Sequence, residues 1–283
     1  MNTKKHEVIA AELIAGKQGG IRLLELLGSK ASGQYTFYHE GGAALLSVMN
    51  KGRTCSLLPS VPKDGDEGDA LQSLLKQAIE SLSTQSLSLA QIVLANPAPT
   101  LQVRALIEAG FEDLATLHYL ERLSSITVFR TSTFAGLQFQ SMETIGDDTL
   151  GKVLEETYIE SLDCPKLHGV RSTRDIIDGH RMSSTYHPEY WFIGTIDGAS
   201  ACVLLLNPND DALELAYVGV IPSQRERGIA DSCVAKAIEI AQLDDFKRIT
   251  LVVDSANANA CNLYDKWNFE IRQSRQAFMY KLC

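Results

Sequence analysis

The chain runs twice through one pattern of secondary structure, and this repetition constrains its fold more than any other feature. In each half, an apolar strand-like run leads into a polar turn, an apolar helical stripe and a second strand-like run. Gly68 lies six positions after Pro62 in the first turn, and Gly228 lies six positions after Pro222 in the second, so the offset is 228 − 68 = 160. We interpret the repetition as a tandem duplication of one α/β unit. The alternative is that two α/β units resemble each other by chance.

Hydrophobic periodicity places the elements of both units. Apolar residues recur at helical spacing over 71–82 and 229–241, and strand-length apolar runs follow at 90–94 and 249–253. The same criteria predict strands at 43–49, 55–61 and 213–220, short helices at 101–109 and 257–266, and closing strands at 111–123 and 269–282. The polar stretch between 124 and 136 predicts a domain boundary, with one unit at 1–128 and the other at 129–283.

Charge balance and the shortness of the apolar runs disfavour several classes of protein. Lys and Arg number 26 and Asp and Glu number 35, so the formal charge of −9 argues against nucleic-acid binding, which needs a basic surface. The longest apolar run, residues 201–206, is far shorter than the roughly 18 residues of a membrane helix and predicts a buried strand. Acidic residues interrupt the N-terminal segment, so no signal peptide is expected and the predicted location is the cytoplasm. Six scattered cysteines without a CxxC pair predict free thiols and no metal site.

The turn before the second helical stripe has features of a phosphate-binding loop. A helix N-terminus carries unpaired N–H groups and a partial positive charge, and phosphates dock there. Gly228 permits positive φ and a close approach of the backbone to a ligand. Arg225 and Arg227 add positive charge beside it. Many strand-to-helix turns of this composition bind nothing, so the loop alone leaves both readings open.

Two motifs in the second half occur in an order and separation typical of one family. The first places Arg225, Gly228 and Ala230 in the pattern Gln/Arg-x-x-Gly-x-Gly/Ala, just after the strand end at 219–222. The second motif follows downstream and consists of Asn257, Ala260, Leu263, Tyr264 and Phe269. Together they resemble the GNAT superfamily of N-acetyltransferases over residues 136–283, and the first half resembles the same fold without its motifs. The resemblance implies an α/β fold with an α+β mixed sheet, in which two tandem GNAT-like units each have a mostly antiparallel central sheet flanked by helices.

The resemblance also implies acetyl-CoA as co-substrate. Loop N–H groups cradle the pyrophosphate in this family, and that role would fall on Glu226, Arg227, Gly228, Ile229, Ala230 and Asp231, with Arg225 just before them. The strand end would bind the pantetheine arm and polarise the thioester carbonyl through Val218, Gly219 and Val220. Asn257 would contact the pantetheine or cap the last helix. Asp231 departs from the family pattern, which more often has a small or basic residue near the phosphates, and Asn268 replaces the usual glycine before Phe269.

Two side chains are candidates for proton transfer. Tyr264 matches the family's general acid, which would protonate the departing CoA thiolate; the alternative is a core tyrosine. Glu214 lies on a strand that resembles the one carrying the glutamate base of histone acetyltransferases, and the alternative is a glutamate that points to solvent. Strict alternation predicts Glu214, Ala216 and Val218 on one face of the strand. Further polar residues are candidates for the acceptor site: Asp163, Cys164, His180, Tyr186, His187 and Tyr190.

The predicted function is therefore transfer of an acetyl group from acetyl-CoA to a primary amine, by direct attack within a ternary complex. The alternatives are transfer of a longer acyl group and a non-catalytic acyl-CoA-binding or scaffold role. A nucleotide-binding module is disfavoured because the sequence contains neither GxxxxGK[ST] nor GxGxxG.

The first unit lacks the residues that would hold the cofactor. Gly65 replaces the loop arginine, and Leu106 stands at the tyrosine position. Acidic residues crowd the same turn and would repel a pyrophosphate: Asp64, Asp66, Glu67 and Asp69. We therefore expect this unit to be degenerate and to have a structural role.

Overall fold

The computed structural model describes residues 2–28, 34–126, 134–182 and 186–282. These residues form two compact units, of which the first comprises Met1–Thr116 with Arg275–Cys283 and the second comprises Leu117–Ser274. The units differ from the expected division into 1–128 and 129–283. The boundary lies earlier, between 116 and 117, and the end of the C-terminal strand belongs to the first unit. Residues 128 and 129 themselves lie outside the described residues.

The first unit follows the predicted order of elements and adds an N-terminal helix that periodicity did not reveal. Its elements are α1 (Asn2–Leu27), β1 (Tyr35–Glu40), β2 (Ala43–Asn50), β3 (Thr54–Pro59), α2 (Gly65–Ser83), β4 (Leu89–Ala95), α3 (Thr100–Glu108) and the start of β5 (Glu112–Leu123). Helix α1 breaks at Gly16, where φ is 71° and ψ is 172°. The predicted stripe of α2 is buried in full: Leu71, Leu74, Leu75, Ala78, Ile79 and Leu82.

The described residues of the second unit form the remaining strands and four α-helices. Its elements are the end of β5, β6 (Gln138–Ser141), α4 (Asp147–Tyr158), α5 (Thr173–Met182), β7 (Trp191–Ile196), β8 (Ala199–Asn209), β9 (Ala212–Val220), α6 (Ile229–Leu243), β10 (Arg248–Asp254), α7 (Ala258–Lys266) and the start of β11 (Glu270–Lys281). The predicted apolar stripe of α6 is buried, as is the whole run 201–206 within β8.

In each unit the strands form a mixed, mostly antiparallel arrangement, as the resemblance implied. In the first unit the strand order is β1-β2-β3-β4-β11-β5, with residues 275–281 of β11 paired to β4. In the second unit the order is β11-β5-β10-β9-β8-β7-β6. Within the described residues, β3 pairs with β4 and β9 with β10 in parallel, and the other pairs whose register is defined are antiparallel.

The parallel pair of the second unit diverges towards its carboxyl end. Its ladder joins Ala212–Glu214 to Arg248–Thr250, whereas β9 continues to Val220 and β10 to Asp254. The first unit has the same short ladder, which joins Thr54–Ser56 to Leu89–Gln91. Backbone groups along a diverging strand pair are open to an inserted extended ligand.

A β-bulge in β9 changes which side chains share a face. Leu205 lies opposite Tyr217 and Leu206 lies opposite Leu215, so Ala216 is an extra residue on β9. Val218 consequently packs in the same core as Leu215, whereas Tyr217 packs with Ala216 in the core on α4 and α5. The alternation predicted from the sequence is therefore wrong beyond Ala216.

No helix within the described residues is both long and apolar enough to cross a membrane.

Candidate functional site

The loop between β9 and α6 presents a helix start whose N–H groups are not capped by a side chain. Residues 222–224 make one 3-10 turn, after which Glu226 and Gly228 adopt positive φ of 63° and 80°. Gly228 is the N-cap of α6 and offers no side-chain acceptor to the helix. The first N–H groups of α6, which have no partner within the helix, are therefore left available to an anion.

Arg225 is engaged by the protein itself. Its guanidinium donates from Nε to the Val220 carbonyl at 3.1 Å and from Nη1 to the Glu160 carbonyl at 3.2 Å. Nη2 donates to the carbonyls of Thr157 at 3.2 Å and Ile159 at 2.6 Å. These bonds use four of the five N–H donors of an arginine. Arg225 was expected to add positive charge near the phosphates. Its guanidinium instead holds the backbone carbonyls at the end of α4 in place.

Arg227 and Asp231 also differ from a simple phosphate-facing arrangement. The exposed Arg227 guanidinium lies 4.7 Å from the centre of the Phe134 ring. Asp231, in the first turn of α6, accepts from Lys266 Nζ at 2.5 Å and from Trp267 Nε1 at 2.9 Å. The Asp231 carboxylate is therefore paired with a cation on α7, which removes the conflict that its charge posed for a pyrophosphate.

The end of β9 packs closely against α4. A Cβ on Gly219 would lie 2.7 Å from the Thr157 side chain and 2.5 Å from the Tyr217 hydroxyl, so only glycine fits this position. Thr157 Oγ1 and the Tyr217 hydroxyl are 2.8 Å apart. Burial raises the pKa of Tyr217 to about 12, which keeps the phenol protonated at neutral pH.

Tyr264 is buried on α7 but retains an unpaired hydroxyl. Its side chain is 7% exposed and its ring packs 5.6 Å from that of Phe269. No group in the described ranges of the chain forms a hydrogen bond with this hydroxyl. The hydroxyl is not sealed from solvent; the sealed unpaired atoms in those ranges are Arg171 Nε and Arg181 Nε. Burial raises the pKa of Tyr264 well above its usual range, so the phenol keeps its proton at neutral pH and can donate a hydrogen bond.

Glu214 occupies the last position of the parallel ladder, opposite Thr250. It is half-buried, and burial raises the pKa of its carboxyl above the usual range. Near it, His180 is buried against the ring of Tyr217 at 5.7 Å, and burial lowers the pKa of this histidine to about 4. The His180 carbonyl accepts from Asn207, the residue opposite Glu214 on β8.

Asn257 has the capping role that the sequence left as one of two possibilities. Its Oδ1 accepts from the Ala260 N–H at 3.2 Å at the start of α7. The cap fixes the orientation of the helix that carries Tyr264.

The candidate acceptor residues fall into two groups. His187 contacts Glu189 at 3.0 Å, and the Tyr190 hydroxyl donates to Asp244 at 2.9 Å. These contacts lie among surface residues of the 3-10 turn at 188–190 and the end of α6, apart from the loop at Gly228. The Tyr186 ring packs edge-to-face against Trp191, with ring centres 4.8 Å apart.

The second group is Asp163 and Cys164. Burial raises the pKa of the Asp163 carboxyl, and the charge of Asp254 raises it further. Cys164 follows in a left-handed conformation with φ of 41°, and burial raises its pKa to about 12. A thiol with so high a pKa is protonated at neutral pH, which argues against Cys164 as an acyl-carrying nucleophile.

Sequence reasoning missed the contact between Thr157 and Tyr217 and the acidic residue Asp254 at the end of β10. The bulge at Ala216 turns Tyr217 towards α4, and alternation could not show this. Asp254 had a visible signal, since an acidic residue directly follows the predicted strand at 249–253.

Two surface cavities in the second unit lie elsewhere. One, of about 480 Å³, is lined by the end of β5 and of α6, including Leu123 and Phe246. The other, of about 340 Å³, lies between α4 and α5 and includes Asp147 and Arg181. The open helix start and the diverging strands, rather than cavity size, identify the candidate site.

Comparison with known proteins relates the second unit to one enzyme family. A model described as acetyltransferase (GNAT) family matches residues 155–269. No curated protein matches the sequence. The match spans the loop at Gly228, Glu214 and Tyr264.

Solved structures share the fold over nearly the whole chain. A GCN5-related N-acetyltransferase from Sphaerobacter thermophilus has a TM-score of 0.67 at 14% identity, covering 99% of this chain and 93% of that one. A GCN5-related N-acetyltransferase from Kribbella flavida has a TM-score of 0.55 at 15% identity, with coverage of 96% and 95%. A tandem GNAT protein from the clavulanic acid biosynthesis pathway has a TM-score of 0.52 at 11% identity, with coverage of 100% and 96%. At these identities the structures show the fold alone, and the similarity to the acetyltransferase (GNAT) family is carried by the match over residues 155–269.

Proposed function

We propose that the chain transfers an acetyl group from acetyl-CoA to a primary amine by direct attack within a ternary complex. The observation that carries the proposal is the uncapped start of α6, which lies directly after the strand that diverges from β10. An anionic pyrophosphate suits the helix start, and an extended pantetheine suits the open strand edge.

The cofactor would be held mainly by backbone groups. N–H groups of residues 226–231 would bind the pyrophosphate, with the positive φ of Gly228 bringing the backbone close. Residues 218–220 would bind the pantetheine as an added strand and polarise the thioester carbonyl. Arg225 would keep the loop in place through its four carbonyl contacts rather than contact the phosphates.

Tyr264 would be the general acid. As the amine nitrogen bonds to the acetyl carbon, the C–S bond breaks and the CoA sulfur takes a proton. The Tyr264 hydroxyl has no protein hydrogen-bond partner in the described chain and carries its proton at neutral pH, so it can hydrogen-bond the leaving sulfur, whose developing negative charge draws the proton across. In the same process the tetrahedral nitrogen gives one N–H proton to the base, so that a neutral amide and a neutral thiol are formed.

Glu214 would be the base that takes a proton from the incoming amine. Its raised pKa makes it a better proton acceptor than an exposed glutamate. We also propose that the first unit has a structural role and has lost cofactor binding, because side chains occupy the start of its helix α2.

Two other functions remain as alternatives to the proposal. A longer acyl group could replace acetyl, and an acyl-CoA-binding protein without turnover would use the same loop. Tyr264 distinguishes the proposed enzyme from the second alternative, because a protein that binds acyl-CoA without turnover does not need a general acid.

The proposal is tested by calorimetric titration of the full-length protein with acetyl-CoA. The matched control is S-acetyl-N-acetylcysteamine, which has the thioester and part of the pantetheine arm but no pyrophosphate. We expect acetyl-CoA to bind much more tightly than the control, because the helix start recognises the pyrophosphate. Equal affinities, or no binding of acetyl-CoA, would refute the proposed cofactor site.

A further inference from the structure

Arg171, in the segment between α4 and α5, has a guanidinium without a partner. Within the described ranges no hydrogen bond or ion pair reaches it. Its Nε is sealed from solvent, whereas Nη1 and Nη2 are unpaired but not sealed and are therefore open to solvent. Burying Nε without an acceptor is unfavourable, and folded proteins keep such groups mainly at functional places. Two open N–H tips on one guanidinium suit a carboxylate, which can accept two parallel hydrogen bonds.

The position of this guanidinium is set by the elements on either side. Ser172, the next residue, caps the start of α5: its Oγ accepts from the Asp175 N–H at 3.2 Å and donates to Asp175 Oδ2 at 2.7 Å. At the other end of the side chain, a Cβ on Gly179 would lie 3.5 Å from Arg171 Nη1. The guanidinium thus lies against α5 before any ligand arrives, which reduces the entropy lost on binding.

Aromatic rings continue from this guanidinium across the second unit. His180 directly follows Gly179 on α5, and its ring lies 5.7 Å from that of Tyr217. The Tyr217 ring lies 5.5 Å from that of Tyr158. Burial, and after it the charge of Arg171, lowers the pKa of His180 to about 4, so the imidazole is neutral at neutral pH and leaves the guanidinium as the cation of this cluster.

The cluster borders the place where the thioester is proposed to lie. A Cβ on Gly219 would lie 2.5 Å from the Tyr217 hydroxyl, so this phenol touches the strand end at 218–220. Tyr158 and Tyr217 are both partly exposed and can contact a ligand. A small acceptor whose amine attacks the thioester can therefore extend along these rings towards Arg171.

Local charge around Arg171 is opposite to that of the whole chain. Residues 164–174 contain three lysines or arginines and no Asp or Glu, whereas the formal charge of the chain is −9. The carboxylate of Asp163 also acts on the pKa of Tyr158, but less strongly than the charge of Arg171 does. A local excess of positive charge favours an anionic group on the ligand.

We propose that the acceptor amine carries a carboxylate, and that Arg171 binds this carboxylate through Nη1 and Nη2 while Tyr158 and Tyr217 contact the skeleton between the two groups. This inference rests on the proposed function, because it names the class of acceptor for the same reaction. Amino acids are the simplest acceptors of this class. Arg171 determines specificity in this account, and proton transfer remains with Glu214 and Tyr264.

The inference is tested by steady-state kinetics of the full-length protein, followed through the CoA released from acetyl-CoA. The acceptors are glycine, β-alanine, 4-aminobutyrate and L-phenylalanine, each compared with its primary amide, which has the same skeleton without the negative charge. The variants are Arg171→Gln and Arg171→Lys. The matched control is Arg174→Gln, because the Arg174 side chain belongs to the same segment and is 91% exposed. Calorimetry first establishes that each protein binds acetyl-CoA.

We expect Arg171→Gln to lower the ratio of kcat/KM for the best acid to kcat/KM for its amide by about ten-fold or more, because a charge-assisted contact is lost. The change should lie mainly in KM, since the carboxylate is bound alike before and during reaction. Comparing each variant with wild type cancels the intrinsic reactivity of each amine. Arg171→Lys, which keeps the charge but not the fork, should fall between, and Arg174→Gln should match wild type.

Three outcomes would overturn the inference. The ratio could stay the same in Arg171→Gln, it could fall equally in Arg174→Gln, or wild type that binds acetyl-CoA could acetylate none of the four acids. Failure of wild type to bind acetyl-CoA would instead refute the proposed function.

Discussion

The two helices that follow the diverging strands begin in different ways, α2 in the first unit and α6 in the second. Asp64 caps α2 by accepting from the Glu67 N–H at 2.9 Å, and the Glu67 carboxylate accepts from the Lys63 N–H at 2.8 Å. Helix α6 begins after Gly228, which has no side chain to place there. In the first unit, side chains thus accept hydrogen bonds at the start of the helix, whereas in the second unit the first N–H groups of the helix remain available to a ligand.

The parallel strand pairs of the two units also differ, in the polar residue at the end of each ladder. Ser56 and Glu214 each occupy the last position of the three-residue parallel ladder of their unit. The Ser56 hydroxyl accepts from Asn50 Nδ2 at 2.8 Å and from Gln91 Nε2 at 3.3 Å. Glu214 instead has a carboxyl whose pKa is raised by burial. The polar side chain at this ladder position is hydrogen-bonded in the first unit, whereas in the second it is the proposed base.

The largest expected effect comes from the tyrosine position. Tyr264→Phe should lower kcat by about 10²- to 10⁴-fold, the contribution of a general acid, while the Kd of acetyl-CoA stays unchanged. Leu106→Met, at the corresponding place in the first unit, should leave both constants unchanged. Steady-state kinetics and calorimetry measure the two. Full activity of the phenylalanine variant would remove the proposed difference between the units.

The next effect concerns the start of α6, where a substitution at Gly228 can introduce a carboxylate like the one that Asp64 provides at the start of α2. Gly228→Asp and Gly228→Asn impose the same strain at φ of 80°, so their difference isolates the charge. We expect the aspartate variant to bind acetyl-CoA about ten-fold more weakly than the asparagine variant, because a carboxylate repels the pyrophosphate. Equal Kd values for the pair would place the phosphates elsewhere.

A smaller effect is expected at the capped helix start. Asp64→Ala should lower the free energy of unfolding by about 1 kcal/mol, the usual cost of losing an N-cap. Acetyl-CoA should bind this variant as it binds wild type. Urea denaturation and calorimetry would check both statements, and a loss of acetyl-CoA affinity would show that the first unit takes part in cofactor binding.

The smallest effect is a dependence of stability on pH at Glu214. Its folded-state pKa is raised, so the folded protein holds the proton more tightly than the unfolded chain, and stability is lost as pH rises above the unfolded value of about 4.5. Glu214→Gln should therefore match wild type near pH 4 and gain stability relative to it towards neutral pH. Ser56→Ala, which replaces a group that does not titrate, should change stability equally at both pH values. A constant difference between Glu214→Gln and wild type would contradict the burial of this carboxyl.

Much of the fold followed from periodicity, whereas the details of the site did not. The stripes of α2 and α6 and the buried run 201–206 were readable because each element buries one face. The bulge at Ala216 could not be read, since it depends on the register between β8 and β9. For the same reason the packing of Tyr217 against α4 was out of reach.

Charged side chains show the same limit. The sequence placed Arg225 and Asp231 in the right loop, but their partners come from α4 and α7, which are distant along the chain. A side chain's partners depend on which elements pack together, and local spacing carries no information about that.

The sequence by itself determined the repeated α/β plan, the positive-φ glycine before α6 and the tyrosine on α7, because each depends on local backbone preference or on one buried face. The tertiary structure decided that Arg225 holds the carbonyls at the end of α4, that Asp231 is paired with Lys266, and that Thr157 contacts Tyr217. Hydrogen bonds and charges act over a few ångströms, so only folding brings such residues within reach of one another.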